Sequence, residues 1–169
     1  MSILSILEFP DPRLRLRAAP VQAFDTRLKQ LGADLLETMY AANGVGLAAI
    51  QVGVQQRILA ADMSPEGTQP LLLVNPEVVD KRGSQVYQEG CLSFPGMFAN
   101  VTRAMGITVK ARDTAGKDLQ LELDGPLAVC IQHEIDHLDG KMFIDYLSPL
   151  KRALLLKRLD KQRRQAASA

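Results

Sequence analysis

Only two cysteines and two histidines occur among 169 residues. Cys91 and Cys130 are too few to frame a disulfide-built mini-domain, and two separate thiol roles in a reducing compartment are the better expectation. Net charge of one sign is scarce as well, since 20 Lys and Arg against 19 Asp and Glu leave +1. No apolar run approaches the roughly eighteen residues that mark a membrane span. Residues 1–20 carry Asp11, several arginines and three prolines in place of an apolar stretch, so no signal peptide is expected. A cytoplasmic protein without a membrane or DNA partner is the expectation. With 47% hydrophobic and 23% charged residues, the composition is that of an ordinary globular chain with one core, which excludes disordered and collagen-like classes.

The charge that is present is unevenly placed. Lys151, Arg152, Lys157, Arg158, Lys161, Arg163 and Arg164 face Asp160 alone after residue 148, a net of +6, so the rest of the chain carries −5. Residues 1–147 therefore read as one catalytic domain and 148–169 as a basic C-terminal helix and tail.

Leu28, Leu31, Leu35 and Met39 recur at helical spacing behind a capping Asp25, which predicts a helix over 25–42, ended by Asn43-Gly44. The glycine-punctuated stretch 44–53 reads as a packed loop. Residues 57–62 and 71–75 read as short buried strands. Ile107, Val109 and Ala111, then Leu119, Leu121 and Leu123, alternate around an Asp113-Thr114-Ala115-Gly116 turn, a hairpin signature. Pro126 and Gly140 bracket a helix over 126–139 that is apolar on most sides, with Gln132, Asp136 and Asp139 as its narrow polar stripe. Ser148-Pro149 opens a third helix whose apolar side is Leu150, Leu154, Leu155 and Leu159. The fold class is α+β: antiparallel or mixed sheets around a central buried helix, with an N-terminal and a C-terminal helix.

Both histidines fall in His133-Glu134-Ile135-Asp136-His137, an H-E-x-x-H sequence on the central helix. A spacing of four puts both imidazoles on one face, within reach of one metal ion, and leaves Glu134 beside it as a general base. The extended histidine pattern is excluded because position 143 is Phe143, and no glutamate follows Glu134 to serve as third ligand. The third ligand is then expected upstream. Cys91, in the glycine-flexed Glu89-Gly90-Cys91-Leu92-Ser93, is the strongest candidate, leaving a fourth position for water.

Three segments together resemble the signature motifs of the peptide deformylases, in order: Gly44-Val45-Gly46-Leu47-Ala48-Ala49-Ile50-Gln51, Glu89-Gly90-Cys91-Leu92-Ser93, and Gln132-His133-Glu134-Ile135-Asp136-His137. The resemblance runs from Pro10-Asp11-Pro12 to Asp145-Tyr146-Leu147-Ser148 and is to the bacterial type with a C-terminal helix. It implies removal of the formyl group from the formyl-methionine of nascent polypeptides. It implies one divalent ion on Cys91, His133 and His137, iron(II) in the cell, with zinc, nickel or cobalt able to replace it in purified protein. Leu92 N–H and the Gln51 amide would face the formyl oxygen. Gly44, Val45, Gly46, Tyr87, Leu92, Leu127, Val129 and Cys130 would bind the substrate, and Glu89 with Arg103 would support the Cys91 loop. Phe98 stands where some members have arginine. The family also suggests a monomer that docks near the ribosomal exit tunnel through residues 151–164. On that reading, deleting 152–169 would weaken ribosome binding and leave the turnover of short peptides intact.

Three other readings compete. A general H-E-x-x-H metallopeptidase requires a carboxylate or histidine as third ligand. A metal-free cysteine hydrolase on Cys91 would be indifferent to chelators. A ribosome- or RNA-binding module with a structural metal requires a closed fourth ligand.

Overall fold

The computed structural model of the chain describes residues 2–168. Helix α1 spans Thr26–Ala41, and the Asp25 carboxylate caps it by accepting from Leu28 N–H at 3.1 Å. The stretch expected to be a loop after Gly44 contains strand β1, Gly46–Ala48, and a 3-10 turn, Ala49–Val52. Strands β2 (Ile58–Ala61) and β3 (Leu71–Arg82) follow, the latter much longer than the apolar run Leu71–Asn75. A hairpin of β4 (Gln85–Cys91) and β5 (Phe94–Arg103) comes next, in a region without a strand signal along the chain. Strands β6 (Gly106–Arg112) and β7 (Asp118–Asp124) form the expected second hairpin. Helix α2 (Gly125–Leu138) carries the H-E-x-x-H sequence, and α3 (Pro149–Ala167) closes the chain.

The main sheet runs β1-β2-β3-β6-β7, and β4-β5 stands apart as a two-stranded sheet. Every ladder is antiparallel. Strand β2 has helices on both faces, which is why it is an unbroken apolar run. Leu59 and Ala61 pack with Ile131 and Ile135 of α2, while Ile58 and Ala60 pack with Leu28, Leu35 and Met39 of α1. This period-two division of one strand between two clusters fixes α2 against the sheet and buries its residues 128–135.

The polar stripe of α2 is only partly open to water, with Asp136 and Asp139 half-buried. Gln132 is buried, accepting from Ala104 N–H and donating to Ala104 C=O, and so ties the helix to the end of β5. Helix α3 buries Leu155 and Leu159, whereas Leu150 and Leu154 lie exposed. Arg152 donates to the carbonyls of Ile144 and Asp145, at 3.1 and 3.3 Å, and Gln162 donates to Pro95 C=O. The helix is therefore part of the body. Deleting 152–169 would also remove the buried Leu155 and Leu159, so that deletion changes packing as well as charge.

Candidate metal centre and active site

The β4-β5 hairpin brings Cys91 to α2. Its ladder is regular from Gln85↔Arg103 to Gly90↔Phe98, then shifts so that Cys91 pairs with Phe94 across Leu92-Ser93. A bulge of this kind re-aims a side chain, here the Cys91 thiol. Cys91 Sγ lies 3.3 Å from His137 Nε2, and His137 Nε2 lies 3.2 Å from His133 Nε2. Ligands of a tetrahedral ion with metal–nitrogen bonds of about 2.05 Å stand about 3.3 Å apart, so the three donors fit one divalent ion. Cys91, His133 and His137 form a group of this kind with all three donor atoms within 4.8 Å.

The donor atoms are prepared from behind. His133 Nδ1 lies 2.8 Å from Glu89 Oε1, which places the ring proton on Nδ1 and leaves the Nε2 lone pair facing the group. Glu89 is clamped by Arg103, whose Nε and Nη2 donate at 2.7 and 2.9 Å. Both side chains are buried, at 3% and 4% exposure. Burial opposes the charge on Glu89, but hydrogen bonds from Arg103 and His133 outweigh it and hold the carboxyl below its ordinary value.

Glu134 is buried beside the donor group, with Oε1 3.7 Å from His133 Nε2 and Oε2 without a hydrogen-bond partner. Burial, only partly offset by His133, pushes its carboxyl up to about 7. An unpartnered, perturbed carboxylate at the floor of a cleft is what proton transfer near neutral pH requires. Gln51 is anchored at both ends of its amide. Oε1 accepts from Ala48 N–H at 2.9 Å, and Nε2 donates to Ser93 Oγ at 3.1 Å and points to Cys91 Sγ at 3.6 Å. Its donor end therefore faces the donor group.

The cleft over this floor has a volume of about 650 Å³. Gly44, Val45, Gly46, Tyr87, Leu92, Val129 and Cys130 all line it, as the family motifs implied. Leu127 does not. Pro126, Val129, Cys130, His133 and Glu134 recur every three or four residues and turn one stripe of α2 to the cleft, while Leu127 sits beside that stripe and packs on the main core. Burial pushes the Cys130 thiol well up, and it donates to Val45 C=O at 3.5 Å, so it serves as a neutral wall. Gly46 is required by space: a Cβ there would lie 2.8 Å from Cys130 Sγ and 2.9 Å from Glu134 Cγ. Sequence reasoning missed Ser93, Ile6 and Met63, which orient Gln51 or line the cleft. It also missed Asp136 and Tyr146 as partners of Arg103. Only Ser93 had a signal, its place in the Cys91 segment.

Fold and site together define a metal-dependent hydrolase built on a buried H-E-x-x-H helix. The polypeptide deformylase family model matches residues 3–153, and the chain belongs to the peptide deformylase family. A peptide deformylase of Xylella fastidiosa is 55% identical over 99% of this chain and its own full length. One from Stenotrophomonas maltophilia is 54% identical over the same shares. Among solved structures, a peptide deformylase from Legionella pneumophila has a TM-score of 0.94 at 47% identity, covering 99% of each chain. One from Ehrlichia chaffeensis, in complex with actinonin, has 0.91 at 40%, covering 97% of this chain and 99% of its own.

Proposed function

We propose that this protein hydrolyses the formyl group from the formyl-methionine of nascent polypeptides, with Cys91, His133 and His137 as metal ligands and Glu134 as the proton carrier. The observation that carries the reading is the buried, unpartnered Glu134 carboxylate beside three converging lone-pair donors in an apolar cleft. Cys91, His133 and His137 would hold a divalent ion, which would supply Lewis acidity toward a water and toward the formyl oxygen. Glu134 takes the proton of the attacking water as the oxygen–carbon bond forms. It then delivers that proton to the amine nitrogen as the carbon–nitrogen bond breaks, so formate and a free N-terminal methionine leave. Leu92 N–H and Gln51 Nε2 donate to the formyl oxygen as charge gathers there. The methionine side chain enters among Val45, Tyr87, Leu92, Val129 and Cys130, and the bare backbone at Gly44 and Gly46 lets an extended peptide approach.

The donor set accepts several ions, and we assign iron(II) in the cell, with zinc, nickel or cobalt as substitutes. The working unit is a cytoplasmic monomer whose catalytic residues all lie within 1–147, with α3 packed on that domain. The exposed cations Lys151, Lys157, Arg158, Lys161 and Arg164 of α3 form the ribosome-facing surface. No helix of the described residues is long and apolar enough to cross a membrane.

The test is formate release from a short formyl-Met peptide by anaerobically purified protein. Release should vanish when a chelator strips the ion and return with added iron(II), zinc or cobalt. No release by fully loaded protein would overturn the reading.

A further inference from the structure

The mechanism leaves half of one polar network unused, the half that runs from buried Glu89 and Arg103 out to half-buried Asp136 and exposed Tyr146. Arg103 does not stop at Glu89: its Nη1 donates to Asp136 Oδ2 at 2.6 Å. That same oxygen accepts from the Tyr146 hydroxyl at 2.7 Å. The Tyr146 ring also lies under the guanidinium, with Arg103 Cζ 4.6 Å from its centroid. An unbroken line of contacts thus runs from Tyr146, on a 3-10 turn of Phe143–Tyr146, through Asp136, Arg103 and Glu89 to His133 Nδ1. The turn reaches His133 a second way, since the Phe143 ring lies against the imidazole at 6.1 Å and 29° between planes. The line begins at a polar cavity on the far side of α2, lined by Tyr146, Asp136 and Arg103.

We infer that Tyr146 and Asp136 are positioning residues for the metal centre, setting the orientation of the His133 ring through Arg103 and Glu89. Arg103 has one guanidinium plane to place and two carboxylates competing for it. Asp136 and the Tyr146 ring fix that plane, so that Nε and Nη2 meet Glu89 side by side. Without them the fork can swing, Glu89 loses a fixed geometry, and the imidazole it holds turns with it. Outer partners of metal-bound histidines commonly carry about a 10- to 100-fold effect on metal affinity when removed. The inference rests on Cys91, His133 and His137 being the metal ligands.

Cobalt(II) alone is the probe. Wild type loaded with one equivalent should show a thiolate-to-cobalt absorption band, which reports Cys91 ligation independently of turnover. Tyr146→Phe keeps the ring and removes only the hydroxyl; Tyr146→Leu removes both contacts. Cobalt release to a chelator should speed up about 10-fold in Tyr146→Phe and further in Tyr146→Leu, with a shifted visible spectrum in each. Tyr40→Phe is the matched control, because Tyr40 donates to Asp62 at 2.6 Å in an equivalent phenol–carboxylate bond without touching Arg103. It should match the loss of melting temperature but leave release and spectrum as in wild type. Adding Tyr146→Phe to Glu89→Gln should change release little beyond Glu89→Gln alone, because the hydroxyl acts through that carboxylate. Release from Tyr146→Phe equal to that from Tyr40→Phe, or effects that multiply in the double variant, would overturn the inference. A wild type without the thiolate band would overturn the metal assignment and the inference with it.

Discussion

Glu134 and Gly46 form a matched pair: one is the group that moves the proton, the other the absence of a side chain that leaves it room. The Cβ of Gly46→Ala would press on both Cys130 Sγ and Glu134 Cγ. Glu134 should be displaced, because its neighbours are packed and cannot yield. Gly46→Ala should lose at least about 10-fold in kcat/KM while retaining its metal, measured by formate release and metal analysis; unchanged kcat/KM would count against the crowding argument. Glu89 and Arg103 are the converse case, a buried pair in which each charge depends on the other. Glu89→Ala would strip Arg103 Nε and Nη2 of their acceptor while Asp136 still holds Nη1, so it should cost about 3 kcal/mol, the low end for a broken buried pair, in denaturant unfolding. Such pairs are visible in sequence only as two charged residues. Their burial comes from the register of β4 with β5 and from the approach of α2, which neither residue announces.

Elements differ in how far their sequences disclosed them. Helices α1 and α2 were legible, because caps and a three-and-four apolar spacing coincide with their observed ends. The β6-β7 hairpin was legible from strict alternation around a turn. The β4-β5 hairpin was not: its burial alternates, but its inward positions include Gln85, Glu89 and Arg103, which carry no hydrophobic signal, and Gly90 interrupts it. The Phe98 ring covers that gap, lying where a Gly90 side chain would be, a contact across the ladder and so invisible along the chain. Helix α3 was legible in extent but not in seating, since two of its four expected apolar contacts stay exposed. Its Leu155→Ala should cost about 2–5 kcal/mol, because a buried side chain would leave a cavity against β5. The turn before α3 is tied to the N-terminal segment by Asp145, which accepts from both terminal nitrogens of Arg15, at 2.6 and 3.0 Å, and from Met142 N–H. Burial acts to raise the Asp145 carboxyl, but Arg15 and the backbone outweigh it and hold it below the ordinary value. Its stabilisation is therefore complete above the unfolded value of about 3.9 and is lost as pH falls through the lower folded value. Asp145→Asn should lower the melting temperature at pH 7 and narrow its gap from wild type below about pH 4.

At the scale of the molecule, a five-stranded sheet, a two-stranded hairpin and one central helix converge on a single cleft. The H-E-x-x-H sequence located its floor, and the shortage of other ligands pointed to Cys91. The structure brings Cys91, His133 and His137 together, and the pointer was sharp because the chain has so few histidines and cysteines to choose from. The family motifs then located most of the walls, with Leu127 set aside by helix geometry. The basic helix is better tested by charge than by deletion, since Arg152, Leu155 and Leu159 belong to the body. Reversing Lys151, Lys157 and Lys161 together should weaken and flatten the salt dependence of ribosome binding while leaving the melting temperature nearly unchanged. The central claim is that Glu134 carries the proton on a loaded metal centre. Its most direct test compares formate release by wild type and Glu134→Gln at equal metal content. The account predicts a loss of about 10²–10⁴-fold or more in kcat, with the ion retained. A variant that binds the ion and still releases formate at the wild-type rate would contradict it.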